Sequence, residues 1–488
     1  MVGAEKTAAI IGGGVIGGGW AARFLLNGWN VNVADPDPEA ERKISEVMTN
    51  ARRSLPGLSD VLMPDEGKLT FFASIAEAVA GADWIQESVP ERLDIKHAVL
   101  ADIQAHCKRD AIVASSTSGF KPSELQQGAA NPGQIIVCHP FNPVYLLPLV
   151  EVVGGDGAAP ETISNAADIL TNLGMKPLIV RKEIDAHIAD RLLEAVWREG
   201  LWLINDGIAT TEEIDDAIRF GFGIRWAQMG LFETYRVAGG EAGMKHFIAQ
   251  FGPCLSWPWT KLMDVPDLTD ELIDTIASQS DAQSGMHTIR ELEQIRDNNL
   301  VAMMRALKGQ NWGAGALLND HDAQMLADSA EETDYSKPIR TLARAIPLDW
   351  VDQNGHMNEA RYLQAFSEGT DRFLEIVGCD AEYITSGGSY FTVETHIRHL
   401  DEVSAGARVY VETQCISAEG KKMRLFHSLY HEDGKLLATG EHMLLHVSLK
   451  TRRATLPSES IANVLNQITS LHSQLPMPVG LGKGISDV

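Results

Sequence analysis

Short apolar runs alternate with helix-period stretches through the first third of the chain. Residues 7–11 form an apolar run, followed by Gly12-Gly13-Gly14-Val15-Ile16-Gly17. Trp20, Ala21, Ala22, Phe24, Leu25 and Leu26 then recur at helical spacing as far as Asn27-Gly28, and a second run at 31–34 is closed by Asp35. Further strands are predicted at 84–86, 111–115, 135–138 and 149–153, with helical patterns such as 95–105 between them. Strands alternating with helices predict a doubly wound, mostly parallel sheet. Beyond it the pattern is helical only, with long stretches at 188–205, 212–220 and 231–250 separated by Gly and Pro breaks. An acidic, polar stretch at 319–337 reads as a linker or a last exposed helix. Residues 358–377 again have helical period (Tyr362, Ala365, Phe366, Phe373, Leu374, Val377), and 389–400, 408–416, 423–430 and 436–449 alternate apolar and polar. The last two are joined at His431-Glu432-Asp433-Gly434, a hairpin signal, so this part predicts an antiparallel sheet wrapped round one helix. The expected division is 1–184, 185–320, a linker at 321–337, 338–458, and a disordered or loosely docked tail at 459–488 with Pro476, Pro478, Gly480, Gly482 and Gly484.

The glycine-rich turn sits in the context that gives it meaning: strand, turn, helix, strand, acid. Gly12 allows the tight turn, Gly14 lets the backbone approach a pyrophosphate, and Gly17 lets the helix pack close to the sheet. Gly13, Val15 and Ile16 complete the loop, and the helix N-terminus offers free N–H groups to phosphates. Asp35 can accept from a ribose 2′-hydroxyl and would repel a 2′-phosphate, which favours NAD over NADP.

Composition adds exclusions. Of 488 residues, 44% are hydrophobic and 22% charged, as in an ordinary globular chain, and the net charge of -25 argues against nucleic acid or an anionic membrane as partner. The cysteines at 107, 138, 254, 379 and 415 are odd in number and form no CxxC, which predicts reduced thiols, no metal site and a cytoplasmic protein. The first residues lack the basic start of a signal peptide, and no apolar stretch reaches membrane-spanning length.

The candidate chemistry centres on His139, just after an apolar run, and Glu151, inside the next one. A carboxylate in such a run needs a partner, and a His partner would be held in one tautomer. Residue types alone leave a structural His–Glu pair and a catalytic one equally open. Ser115-Ser116-Thr117-Ser118, His139-Pro140-Phe141-Asn142-Pro143 and Glu151 together resemble the L-3-hydroxyacyl-CoA dehydrogenase superfamily, over residues 1 to about 320. The resemblance implies an α/β Rossmann domain followed by an all-α dehydrogenase C-terminal domain that dimerises. It implies His139 as the base for the alcohol proton, Glu151 as its orienting acid, and Ser118 as a hydrogen-bond donor to the substrate oxygen. Glu91 and Lys96 match positions near the cofactor; the plainer alternative for both is a solvated helix start.

Where the superfamily's hydroxyacyl-CoA members carry Asn before an Arg, this chain has Asp190-Arg191. A negative charge there suits a quaternary ammonium. Trp197, Trp202, Phe220, Phe222, Trp226, Phe232 and Tyr235 follow, any of which could face such a cation or be core. The phrase from His139 to Pro148, taken with His187-Ile188-Ala189-Asp190-Arg191, is similar to the carnitine-oxidising members of the superfamily. A carnitine carboxylate should meet an Arg, with Arg191, Arg198 and Arg225 as unranked candidates. Oxidation of a 3-hydroxyacyl-CoA or a hydroxy sugar acid is the competing expectation.

Asp352-Gln353-Asn354-Gly355-His356-Met357-Asn358 precedes the second-half helix and resembles hot-dog-fold acyl-CoA thioesterases of the 4-hydroxybenzoyl-CoA thioesterase type, over about 338–455. The resemblance implies an α+β hot-dog domain with Asp352 as general base or nucleophile, while His356 and Asn358 position the thioester or cap the helix. A non-catalytic CoA-binding or dimerisation module is the alternative. The expected ligands are carnitine, NAD and an acyl-CoA thioester. Together the two activities imply a route from carnitine through dehydrocarnitine, cleaved by a separate enzyme with acetyl-CoA, to betainyl-CoA and glycine betaine.

Overall fold

The computed structural model describes residues 6–483 apart from 156, 239–242, 252–259, 262–266, 268 and 329–332; Cys254, Gly484 and the linker residues Glu331 and Glu332 lie outside the described residues. The chain forms two compact units, one of Met1–Ala51 with Asp65–His321, the other of Arg52–Pro64 with Asp322–Val488.

The first unit is built on eight strands: β1 Thr7–Ile11, β2 Asn30–Ala34, β3 Leu69–Phe72, β4 Trp84–Glu87, β5 Ile112–Ser115, β6 Ile135–Pro140, β7 Leu149–Val153 and β8 Lys176–Val180. Their order is β3-β2-β1-β4-β5-β6-β7-β8. All neighbours run parallel except β6 and β7. A parallel sheet is covered on both faces, so its strands are apolar along their whole length. Ala8 to Ile11 and the whole of β4, β5 and β6 are accordingly buried. Helix α1 spans Val15–Leu26 and α2 spans Ala40–Ser54. The helical part begins with Ala189–Asn205 and includes Gly223–Ala238, Gly243–Phe251 and Ile289–Gly309. Within the helical pattern expected at 231–250, residues 231–238 and 243–250 are helical, and 239–242 lie outside the described residues. The helix Ala314–Asp328 runs on into the stretch assigned to a linker.

The second unit carries β9 Ile339–Ala345, β10 Gly388–His399, β11 Arg408–Glu419, β12 Lys422–His431 and β13 Leu436–Ser448, antiparallel in the order β10-β13-β12-β11-β9. A central helix, Glu359–Ile376, buries Tyr362, Ala365, Phe366, Gly369, Thr370, Phe373 and Leu374, one stripe at helical spacing. Gly440 on β13 makes room for it: a Cβ there would fall 2.6 Å from the Phe366 ring.

The expected loose tail is a correction. Glu459–His472 is a helix with a Ser458 cap, and Ile461, Leu465 and Ile468 join the buried cluster that holds Phe373 and Leu425. His472 fastens it, accepting from Cys415 N at 2.9 Å through Nδ1 and donating to Lys337 O at 2.9 Å through Nε2. The apolar period at 461, 465 and 468 outweighs the Pro and Gly that follow it.

Candidate active sites

The glycine turn is closed below and open above. Gly12 has φ +98°, in the left-handed region, and a Cβ there would lie 2.6 Å from Ser88 O; at Gly17 it would lie 1.8 Å from the Gly12 carbonyl oxygen. At Gly14 an added Cβ meets nothing within 4 Å. Space is thus left where a pyrophosphate would approach the N-terminus of α1, which no side chain caps. Asp35 braces the turn from β2: its Oδ2 accepts from Gly13 N and its Oδ1 from Asp37 N at 2.7 Å. A cavity of about 240 Å³ opens beside Gly14 and Val15, bordered by Asn142, Tyr145, Arg290 and Arg296. These features fit a dinucleotide.

Lys96 is not part of a solvated helix start. It is buried and pairs with buried Glu87 at 2.9 Å and with Glu91 at 3.3 Å. Glu91 itself is exposed, and accepts from the Thr117 hydroxyl and from Gly119 N at 3.3 Å. The acid therefore ties the loop after β4 to the loop after β5, on which Ser118 stands half-buried.

His139 and Glu151 meet because β6 and β7 are antiparallel with these two residues directly opposite. Nδ1 of the buried His139 donates to Glu151 Oε2 at 3.0 Å. Glu151 Oε1 accepts from Ile188 N and Ala189 N, both at 2.8 Å. Those N–H groups are aimed by Ala186 (φ 58°) and His187 (φ 48°), consecutive left-handed non-glycine residues costing on the order of 1–3 kcal/mol each. Burial opposes ionisation of Glu151, but the hydrogen bonds from His139, Ala189 and Ile188 outweigh it and hold the carboxyl below its ordinary value.

His187 belongs to the phrase that carries the resemblance, but the sequence alone assigns it no role. It is fully buried, its ring lies 5.7 Å from that of His139, and its Nε2 is 3.4 Å from Thr117 O. Burial, and then the neighbouring His139, lower its pKa, so the ring is neutral at neutral pH. Its position three residues before Asp190 was the available signal. Asp190 stands half-buried in the first turn of Ala189–Asn205, close enough for its charge to act on His187. The aromatics separate into small groups: Lys261 Nζ lies 4.1 Å from the Trp202 ring, Phe222 packs on Trp226 at 4.5 Å, and Tyr235 on Phe247 at 4.6 Å. Of the three arginines, Arg191 and Arg225 are exposed and Arg198 lies 3.8 Å from Glu194.

In the second unit the loop before the central helix folds back on itself. Asp352 N donates to His356 O at 3.0 Å, Gly355 turns with φ +83°, and Val351 bridges Met357. The exposed Asp352 carboxylate accepts from Asn354 N at 2.8 Å. His356 Nδ1 lies 3.3 Å from Glu402. Asn358 Oδ1 accepts from Ala360 N at 3.0 Å, so this residue caps the helix.

Residues 7–184 match the family described as 3-hydroxyacyl-CoA dehydrogenase, NAD binding domain; residues 187–266 match its C-terminal domain, and residues 346–465 match the thioesterase-like superfamily. A protein of Ruegeria pomeroyi named L-carnitine dehydrogenase/betainyl-CoA thioesterase is 69% identical over 98% of this chain and 99% of its own. This chain belongs to the L-carnitine dehydrogenase/betainyl-CoA thioesterase family. An Agrobacterium fabrum member with the same name is 56% identical over 98% of each chain. A Mesorhizobium japonicum relative named L-carnitine dehydrogenase is 63% identical, covering 67% of this chain and 91% of its own. The family's dehydrogenase part also resembles a solved NAD+-dependent 5-formyl-3-hydroxy-2-methylpyridine 4-carboxylic acid 5-dehydrogenase, at 30% identity and TM-score 0.55, covering 62% of this chain and 99% of that one. The NAD-binding domain, the dehydrogenase C-terminal helices and a thioesterase-like hot-dog domain thus lie in one chain in that order.

Proposed function

We propose that this chain is bifunctional, oxidising L-carnitine to 3-dehydrocarnitine with NAD and hydrolysing betainyl-CoA to glycine betaine and CoA. The observation that carries the reading is identity of 69% extending through both halves to a relative named for both activities. The working division is an NAD-binding part at 1–184, a helical part at 185–320 and a thioesterase part at 338–458.

In the first reaction NAD supplies the hydride acceptor. His139 Nδ1 is engaged by Glu151, which leaves Nε2 to take the alcohol proton. Glu151, kept ionised by its three donors, steadies the imidazolium that forms and does not itself take the proton. Ser118 donates to the substrate oxygen, and Asp190 faces the trimethylammonium. In the second reaction Asp352 activates water or attacks the thioester carbonyl, whose oxygen is polarised by the positive end of the central helix dipole. The C–S bond breaks, the acyl carbon gains the water oxygen, and the thiolate of CoA leaves and takes up a proton.

We further propose a cytoplasmic homodimer without nucleic-acid or membrane partners. The helix Ala189–Asn205 has no buried residue and leaves Leu192, Leu193 and Trp197 more than half exposed, an apolar face that a second copy would cover. Free thiols at Cys107, Cys138, Cys379 and Cys415 suit a reducing compartment. Among the described residues no helix is long and apolar enough to cross a membrane.

The test is a substrate panel with pure protein and NAD. L-Carnitine is expected to drive NADH formation where 3-hydroxybutyryl-CoA does not, and Asp352→Ala is expected to abolish betainyl-CoA hydrolysis while sparing carnitine oxidation. NADH formation with 3-hydroxybutyryl-CoA alone would refute the first half, and undiminished hydrolysis in Asp352→Ala the second.

A further inference from the structure

Residues 52–64 run in sequence from the last turn of α2 toward β3, inside the dinucleotide-binding part, yet they belong to the second compact unit. The contacts are specific. Ser59 Oγ and Asp60 N donate to the two carboxylate oxygens of Asp322 at 2.6 and 2.9 Å. The Arg408 guanidinium donates to Met63 O at 3.4 Å. A Cβ on Gly57 would fall 3.0 Å from Pro347 Cα, so the backbones touch there.

Arg344, on β9, is the hinge of this arrangement. It is fully buried and pairs with Asp60 at 2.7 Å and with Glu368 of the central helix at 3.1 Å. Its guanidinium lies 4.4 Å from the ring of buried Trp350. Trp350 roots the loop that carries Asp352: its N donates to Pro347 O at 3.1 Å, and its carbonyl accepts from Asn358 N at 2.9 Å. A buried guanidinium must keep its carboxylates, and one of the two comes from the 52–64 segment.

We propose that residues 52–64 are a working part of the thioesterase, and that Asp60 and Arg344 are positioning residues for the loop from Pro347 to Asn358. Asp60 orients Arg344, Arg344 clamps Trp350, and Trp350 sets where Asp352 stands relative to the N-terminus of the central helix. The inference rests on the thioesterase reading above and extends it to residues that the sequence order assigns to the dehydrogenase. It also means that a fragment cut to 338–458 lacks part of its own support.

The test uses the full chain carrying Asp60→Asn, with Asp60→Glu as the conservative variant. Betainyl-CoA hydrolysis, carnitine oxidation and amide hydrogen exchange at Met357 and Asn358 are measured. In Asp60→Asn the hydrolytic kcat is expected to fall about tenfold or more while KM stays within about twofold, because misplaced catalytic groups cost turnover before binding. Carnitine oxidation stays within about twofold of wild type, exchange at Asn358 rises about tenfold, and Asp60→Glu restores at least about half of the lost turnover. Unchanged hydrolysis, unchanged exchange, or a parallel loss of carnitine oxidation would each overturn the proposal. If the wild-type chain cleaved no betainyl-CoA, the substrate reading would fall by itself, and the exchange measurement would still decide whether Asp60 holds the loop.

Discussion

Replacing Glu151 with glutamine keeps the shape of the side chain and removes its charge. The carboxylate accepts from His139 Nδ1 at 3.0 Å and from the N–H groups of Ile188 and Ala189 at 2.8 Å. Glutamine has one oxygen and one NH₂. If the oxygen keeps the two backbone donors, the NH₂ faces His139 Nδ1, and the ring must carry its proton on Nε2. If the amide turns over, two buried N–H groups lose their acceptor at about 1–3 kcal/mol each. The first arrangement therefore prevails by several times RT, and it occupies the nitrogen proposed to receive the alcohol proton. The imidazolium formed in the reaction also loses a charge-assisted hydrogen bond worth about 1.5–3 kcal/mol. With about 1.4 kcal/mol per factor of ten and a tautomer penalty of similar size, kcat should fall about 10²- to 10⁴-fold. NAD affinity, which we propose is set at Gly12–Gly17 and Asp35, should change by less than about threefold. The assay is NADH formation with saturating L-carnitine, beside NAD titration of the same variant. In the wild type the depressed Glu151 value means that the pair's contribution to stability is present above the unfolded carboxyl value of about 4.3 and is lost as pH falls through the lower native one. A Glu151→Gln enzyme with kcat within about threefold of wild type would refute the assignment of His139 as the base.

Two further outcomes follow from packing and burial. Gly17→Ala places a methyl 1.8 Å from the Gly12 carbonyl oxygen, so NAD affinity should fall at least about tenfold, with a lowered melting temperature; unchanged values in both measurements would contradict the closed turn. In the second unit, burial holds His427 well below the ordinary imidazole value and lowers His442 to about 4, and both rings bond Thr370. The native state binds fewer protons than the unfolded chain, so this contribution is complete above about pH 6.5 and declines as pH falls, by up to about 2.7 kcal/mol per pH unit for the two groups together. Denaturant melts of the second unit at pH 7.5 and pH 5 check this, and equal stability at the two values would exclude it.

What could be read from the chain was what local pattern encodes. Residues 7–11 and 149–153 are observed strands with those same bounds, and the turn between the first strand and α1 was identified from its glycines. The short strands β3 and β8 escaped because half-buried edge positions such as Leu69–Phe72, and a strand containing Pro177, carry a weak alternation. Chemistry alone points to the pairing of His139 with Glu151, since a carboxylate in an apolar run needs a partner. Its geometry depends on β6 and β7 being antiparallel in that register, which no residue within the hairpin declares. The segment 52–64 is the clearest limit. Leu55, Gly57 and Leu58 are buried, and Pro56-Gly57 marks a break, but nothing nearby says which sheet they cover. Their partners Asp322, Arg344 and Pro347 lie more than two hundred residues away. A local signal can announce that a surface is apolar and that a buried Arg needs an acid. Only the folded chain brings Asp60 to Arg344, and it does so across the boundary that the order of motifs had drawn between two enzymes.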